Sequence, residues 1–367
     1  MAMLQREGLK ASRQDGRMPG WLRLINGPQT LGRGPLFWIV FVLTIGAAVV
    51  YPAFADAWSV GNTAYFFCWV FMALGLSLIW GYAGSLSFGQ TAFFGLAGYT
   101  YGVVTINFGA AYGLTIVGVL LGVGMSCLGA AVLGYILFYG RISGVFLGIV
   151  TLSTTLVFAT FMAQTAGSQW AIGDARLGGD NGMTGMPPLT IPWAGGDVAL
   201  YSGVPLYYLL LAMLVVCYLG LRVLVNSRFG NVLVAIRENP HRAEMLGYDI
   251  RRYQLIAFVI GSGLAGLSGV LYTAWGQYIS PSNMDLAAAA LPIIWVAVGG
   301  RKDLTATLVG TLVVLAIFQN LTIYGSYYAF VIMGLLLVVV VVFLPEGLIP
   351  GLVKFFGRLR KRKEGMS

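Results

Sequence analysis

The chain has 367 residues, 58% of them hydrophobic and only 10% charged, with 51 glycines and a formal net charge of +9. A soluble domain carries about 25% charged residues, so too few charges are present to coat a water-facing surface. A mean hydropathy of +0.82 points the same way: the composition excludes a soluble globular protein and predicts an all-α polytopic membrane protein.

In chain order, residues 1–35 form a basic arm (Arg6, Lys10, Arg13, Arg17, Arg23, Arg33). It lacks the apolar core and cleavage site of a secretory signal and is expected to be mostly poorly ordered. Ten apolar segments follow over roughly 36–53, 62–82, 88–106, 111–138, 144–167, 204–225, 253–275, 286–300, 304–324 and 327–344. Most approach the ~20 residues that cross a bilayer. Segment 88–106 is glycine-rich and expected to be irregular; segment 286–300 is short and, with Pro292 inside, expected to be broken or re-entrant. Together 36–345 make one transmembrane domain, with an external loop at 168–203, a polar loop at 226–252 and a basic tail at 346–367. The tail sequence GLVKFFGRLRKRK reads as a short amphipathic surface segment.

Charge placement orients these spans. With the N-terminus in the cytoplasm and ten crossings, 21 of the 22 Lys and Arg residues fall inside and only Arg176 outside. Such a positive-inside bias puts both termini and the 226–252 loop in the cytoplasm. It accounts for the net charge through anionic lipid, with no nucleic acid required. Ten spans divide five and five, so the halves are expected to be inverted relative to each other, as in many transporters, although no residue-level match links them. Small residues at every fourth position (Gly118 and Gly122; Gly261, Ala265 and Gly269; Ser262 and Gly266) predict close helix packing.

The predicted spans hold no Asp, Glu, Lys or His well inside them, only Arg222 and Asp285 at ends. Proton-coupled carriers generally need such groups. Cys68, Cys127 and Cys217 lie in apolar runs and read as core residues, and the only histidine, His241, is in the polar loop, where solvent exposure is the ordinary state. No catalytic residues, metal site or phosphate-binding loop can be assembled. A protein that moves something with no energy source of its own needs a partner to supply it.

The polar loop is where a partner would dock. Pro240 can start a short helix that Gly247 caps, presenting Ala243, Met245 and Leu246 between charges; a plain solvated linker is the equal alternative. Ser87, Gln90 and Thr91 are the polar residues of a glycine-flanked stretch, and either bond neighbouring helices or line a route.

The run RFGNVLVAIRENPHRAEMLGYDIRRYQLIAFVIGSGLAGLSGVLY (228–272) resembles the branched-chain amino acid permeases of ATP-binding-cassette importers, specifically their M-type subunit. GYAGSLSFGQTAFFGLAGYT (81–100), GGDNGMTGMP (178–187), VAVGGRKDLTATLVGTLV (296–313) and FLPEGL (343–348) are similar to further parts of that family, over about 35–350 in all. The resemblance implies a bacterial inner-membrane permease subunit. It would work by alternating access with a homologous second permease, two cytoplasmic ATP-binding subunits that carry ATP and Mg, and an extracytoplasmic substrate-binding protein; this chain itself would hold no cofactor. It assigns ATPase coupling to Arg237, Glu238, Asn239, Ala243, Glu244 and Gly247, without the full consensus of that segment. It also assigns the external motif to Gly179, Asp180, Asn181 and Gly182. Relatives often carry His where this chain has Gln90, which keeps hydrogen bonding but not titration. The wording of the external motif is also near that of urea-transporting relatives, so urea or short amides stand beside aliphatic amino acids as cargo. An ion-gradient-driven carrier or channel is the alternative of another class.

Overall fold

The structure is a computed structural model describing residues 25–27, 29–30, 32, 34–109, 115–193, 196–323, 325–344 and 347–351. All ten apolar segments fold as helices. The first half holds α1 (Pro35–Val50), α2 (Ala57–Leu76, continued by a π-helical turn Ser77–Tyr82), α3 (Gln90–Val104), α4 (Thr115–Tyr139) and α5 (Val145–Ala163). Next come α6 (Val204–Asn226), two helices of the polar loop, α7 (Arg228–Glu238) and α8 (Pro240–Met245), and then α9 (Ile250–Gly276), α10 (Leu286–Gly299), α11 (Leu304–Thr322) and α12 (Ser326–Phe343). Among the described residues seven helices are long and apolar enough to cross a membrane, and α10 and the Tyr328–Val340 part of α12 are apolar but shorter. The amphipathic tail segment, and the arm before Ile25, lie outside the described residues.

One expectation is corrected and the other is borne out at its segment's ends. Pro292 sits buried inside a continuous α10 and does not break it; a helix packed among neighbours accommodates one lost backbone bond. The irregular backbone expected within 88–106 lies at both ends of the segment: residues 83–89 are non-helical, Gln90–Val104 form a regular α3, and Thr105–Gly109 continue it as a π-helical turn. α10, with 14 residues, rises about 21 Å, less than the ~30 Å hydrocarbon core.

The halves pack on one plan. In each, the third helix lies against its own fourth and fifth helices and against the second helix of the other half: α3 on α4, α5 and α9, and α10 on α11, α12 and α2. The long helices α2 and α9 cross at the centre, where a Cβ on Gly261 would stand 2.6 Å from the carbonyl oxygen of Gly75. The predicted small-residue stripes are used in this way. Gly269 abuts the Phe94 backbone, Gly122 the Ala97 carbonyl, and Gly266 the Ser126 side chain. Around the crossing, Trp69 of α2 stacks on Phe94 of α3 at 4.9 Å and meets Tyr272 of α9 and Trp295 of α10 tilted or edge-on, at 5.2 and 5.6 Å.

The ends of the bundle differ. Arg222, Arg237 and Arg301 gather at one end, here the basic end, around the π-helical tail of α2. The other end carries three antiparallel ribbons: β1 (Ala171–Ile172) with β2 (Ala175–Arg176), β3 (Met183–Thr184) with β6 (Tyr278–Ile279), and β4 (Leu189–Trp193) with β5 (Gly196–Leu200). Aspartates begin the helices at both ends: Asp56, Asp249, Asp285 and Asp303 each accept a hydrogen bond from a first-turn amide, the ordinary N-cap arrangement.

Candidate coupling surface and translocation elements

The polar loop is a helical hairpin. α7, read from the sequence as part of a loop, buries Gly230, Val232, Leu233 and Ile236 along one side, a helical spacing legible in the sequence but embedded in a charged run. The predicted short helix is α8. Asn239 caps it by accepting from the Arg242 amide at 3.0 Å. Gly247, at φ 85°, ends it with its amide on the Glu244 carbonyl at 2.9 Å and the Tyr248 amide on the Ala243 carbonyl at 3.2 Å. These are the paired bonds of a Schellman cap, whose left-handed residue favours glycine. Ala243 is not presented to a partner as expected. It is buried against Val232, Ile236, Ile250 and Tyr253 and forms the hairpin's own small core. The face left outward holds His241, Arg242 and Glu244, with Met245 85% and Leu246 75% exposed.

Arg237 also turns inward. Its guanidinium donates to the Gly81 carbonyl and to Glu238 Oε1 at 2.7 and 3.1 Å, and its stem covers Gly84. Hydrogen bonding to Arg237, then the charges of Arg237 and Lys302, hold the exposed Glu238 carboxyl below the usual carboxylate range. From Gly81 the contacts continue: Ser77 Oγ donates to the Arg301 carbonyl at 3.2 Å, Thr307 Oγ1 to Ser77 Oγ at 3.1 Å, and Arg301 lies 5.0 Å over the Trp80 ring. The hairpin is thus tied to the π-helical end of α2 and, through it, to the α10–α11 connection.

A second tie was not foreseen. Arg222 of α6 is fully buried, with Nε on the Ile25 carbonyl at 2.6 Å, Nη1 on Tyr218 Oη at 2.9 Å and the ring of Phe37 4.4 Å from its carbon. Gln29 bonds Asn226 through its amide at 3.1 Å and Asn231 of α7 through its side chain at 3.2 Å, and its carbonyl accepts from Tyr82 Oη at 3.0 Å. The end of the basic arm is therefore a strap joining α1, α2, α6 and α7. The sequence signal was a lone arginine near a span end with tyrosine one turn earlier.

Ser87, Gln90 and Thr91 come together at the start of α3, all buried. Ser87 Oγ accepts from the Gly89 amide at 3.1 Å, and Thr151 and Thr155 of α5 bond the Phe88 amide and carbonyl at 3.1 and 3.2 Å. The amide atoms of Gln90 and the hydroxyl of Thr91 bond no other protein group. The external motif is a tight turn. Gly179 and Gly182 are buried against Ala166 and against the Ile279–Ser280 backbone, while Asp180 and Asn181 are exposed. Both φ values are positive, 56° and 78°, so the glycines shape the turn and only the two polar residues face out. Among the described residues no group of three or more His, Cys, Asp or Glu side chains could hold a metal ion.

Comparison with known proteins fits this arrangement. The family described as the permease component of branched-chain amino acid transport systems matches residues 60–341. The chain belongs to this family. Similar relatives include the high-affinity branched-chain amino acid transport system permease protein LivM of Escherichia coli, 24% identical over 85% of this chain and 75% of LivM. A probable ABC transporter permease protein, y4mJ of Sinorhizobium fredii, is 25% identical over 89% of this chain and 94% of its own length. The probable LivM of Methanocaldococcus jannaschii is 26% identical over 47% and 53%. No solved structure matches the chain significantly. This permease is a multi-pass membrane protein, and the family match takes in the crossing of α2 and α9, the α7–α8 hairpin and the external motif alike.

Proposed function

We propose that this permease carries branched-chain or other aliphatic amino acids inward across a bacterial inner membrane as one of two related permease subunits. Cytoplasmic ATP-binding subunits drive it and an extracytoplasmic binding protein feeds it. The observation that carries the reading is the α7–α8 hairpin, which offers Met245 and Leu246 outward while Arg237 fastens it to Gly81 of a core helix. An ATPase gripping that outward face would move the hairpin against α2. In a close-packed bundle such a displacement passes to the helices as a shift between discrete packings. The basic end then faces the cytoplasm, and Asp180 and Asn181 face the binding protein.

The route is proposed at the third helix of each half. α3 and α10 hold corresponding places in the two halves, α3 glycine-rich and π-helical at its end and α10 short with Pro292 inside it, and short or Gly/Pro-containing segments so placed mark the pathway in many transporters. Gln90 opens α3 with a buried, uncharged amide, able to meet a zwitterion without trapping it as a charge would. ATP and Mg belong to the partners; this chain contributes binding surfaces and movement and no covalent chemistry.

The test is reconstitution of the chain with a homologous permease, ATP-binding subunits and a binding protein from the same organism. Uptake of labelled leucine should require all components and ATP and should survive an ionophore. Uptake of urea instead would move the cargo to the runner-up class. Uptake by this chain alone, abolished by the ionophore, would overturn the reading in favour of an ion-driven carrier.

A further inference from the structure

We propose that the slot beneath α1 is a binding site for one acyl chain of a bilayer phospholipid. α1 is the least packed span: none of its residues is buried. It rests on the bundle at a few points: the Phe37 ring against Arg222 and the Phe41 ring 5.6 Å from that of Tyr218 toward one end, and the hydroxyls of Tyr207 and Tyr208 on the Ala48 and Val49 carbonyls at the other. Between these supports lies a cavity of about 290 Å³, with Phe37, Phe41, Thr44 and Ala48 as its roof and Phe67, Leu211, Leu214 and Leu308 among its floor and walls.

The cavity's chemistry excludes water. Its few hydroxyls are already engaged, Thr44 with the Val40 carbonyl at 2.8 Å and Tyr218 with Thr305 at 2.7 Å. Water needs two or more polar partners to stay in such a space. The slot is continuous with the lipid-facing surface, since Val40 and Val309 line it and are also exposed.

Dimensions select the occupant. From Phe37 to Ala48 the roof runs about 16 Å, close to one leaflet of a ~30 Å hydrocarbon core. A space of about 290 Å³ spread along that length has no room for a helix of about 10–12 Å diameter and suits a single alkyl chain. A cavity of about 150 Å³ takes benzene, so this one holds on the order of a dozen chain carbons. An acyl chain would restore the dispersion contacts that each wall otherwise forgoes.

The experiment places the full-length protein in phosphatidylethanolamine–phosphatidylglycerol vesicles containing a phosphatidylcholine with a diazirine midway along one acyl chain. Cross-linked residues are mapped by mass spectrometry after illumination. Labels are expected on Leu211 and Leu214 of the floor. In Ala48→Phe and Thr44→Phe, which fill the slot, they should fall at least fivefold, while labelling of the outward Leu120 on α4 stays unchanged. Labelling confined to outward side chains such as Leu43 and Leu120 overturns the proposal, and this arm needs no variant. So does floor labelling that both filled variants leave intact, or that disappears when the second permease subunit is co-reconstituted, which would make the slot a protein interface.

Discussion

Adding one methyl group at Gly261 should destabilise the protein, although the same change in an unconstrained helix stabilises it. Glycine inside a helix costs about 1 kcal/mol relative to alanine, so propensity alone favours Gly261→Ala. The crossing reverses the sign. The new Cβ would stand 2.6 Å from the Gly75 carbonyl oxygen and 2.6 Å from Ile79 Cδ1. Ile79 can rotate away, but the carbonyl belongs to the backbone of α2 and can yield only if the two long helices separate by several tenths of an ångström. Overpacking of this kind costs about 1–3 kcal/mol, which leaves a net loss of up to about 2 kcal/mol once propensity is subtracted. Gly46→Ala on α1, whose added Cβ meets nothing within 4 Å, serves as the control and should be neutral or slightly stabilising. Thermal unfolding of the purified protein in detergent, followed by loss of the monodisperse peak, reads both variants. If Gly261→Ala melts at or above the parent while Gly46→Ala behaves alike, α2 and α9 do not cross in backbone contact and the packing plan of the two halves is wrong.

Other expectations follow from the same contacts. Gly247→Val must hold a β-branched residue at φ 85°, which costs about 1–2 kcal/mol or more; it and Glu238→Lys should leave the protein inserted but lower substrate-stimulated ATP hydrolysis by the assembled complex, and normal coupling in both would reduce the hairpin to a linker. Gln90→Leu keeps length and burial but removes the amide. Transport per assembled complex should fall while basal ATP hydrolysis persists, and unchanged transport would take Gln90 off the route. Cysteine at Asp180 should react with an impermeant reagent in intact cells, and cysteine at Met245 only after permeabilisation; the reverse pattern would invert the topology. Arg222→Leu removes the donors held by Ile25 and Tyr218, so proteolysis near residue 25 should accelerate well before the transmembrane core unfolds; equal cleavage rates would show that the strap does not depend on Arg222.

Membership of the membrane class, the ten helical segments and the position of the short helix in the polar loop were all legible in the sequence. Each rests on a local quantity: apolar run length, positive-inside charge, or a Pro–Gly pair bracketing a helix. Even the small-residue stripes along α4 and α9 were readable, because a one-sided spacing of Gly and Ala survives without knowing the partner helix. What lay beyond local reading were contacts between distant parts of the chain. Ala243 and Met245 are two residues apart on one short helix, and only the fold of α7 beneath it decides that the first is core and the second is surface. Arg237 looked like a docking charge, yet the carbonyl that claims it belongs to Gly81, 156 positions earlier. Arg222 looked like an interfacial anchor and instead closes around the arm at Ile25, 197 positions away. A charged or small side chain carries the same local signal whether it meets solvent, lipid or a backbone carbonyl. Its role is set by the desolvation it undergoes and the partner that compensates for it, and both are properties of the assembled bundle.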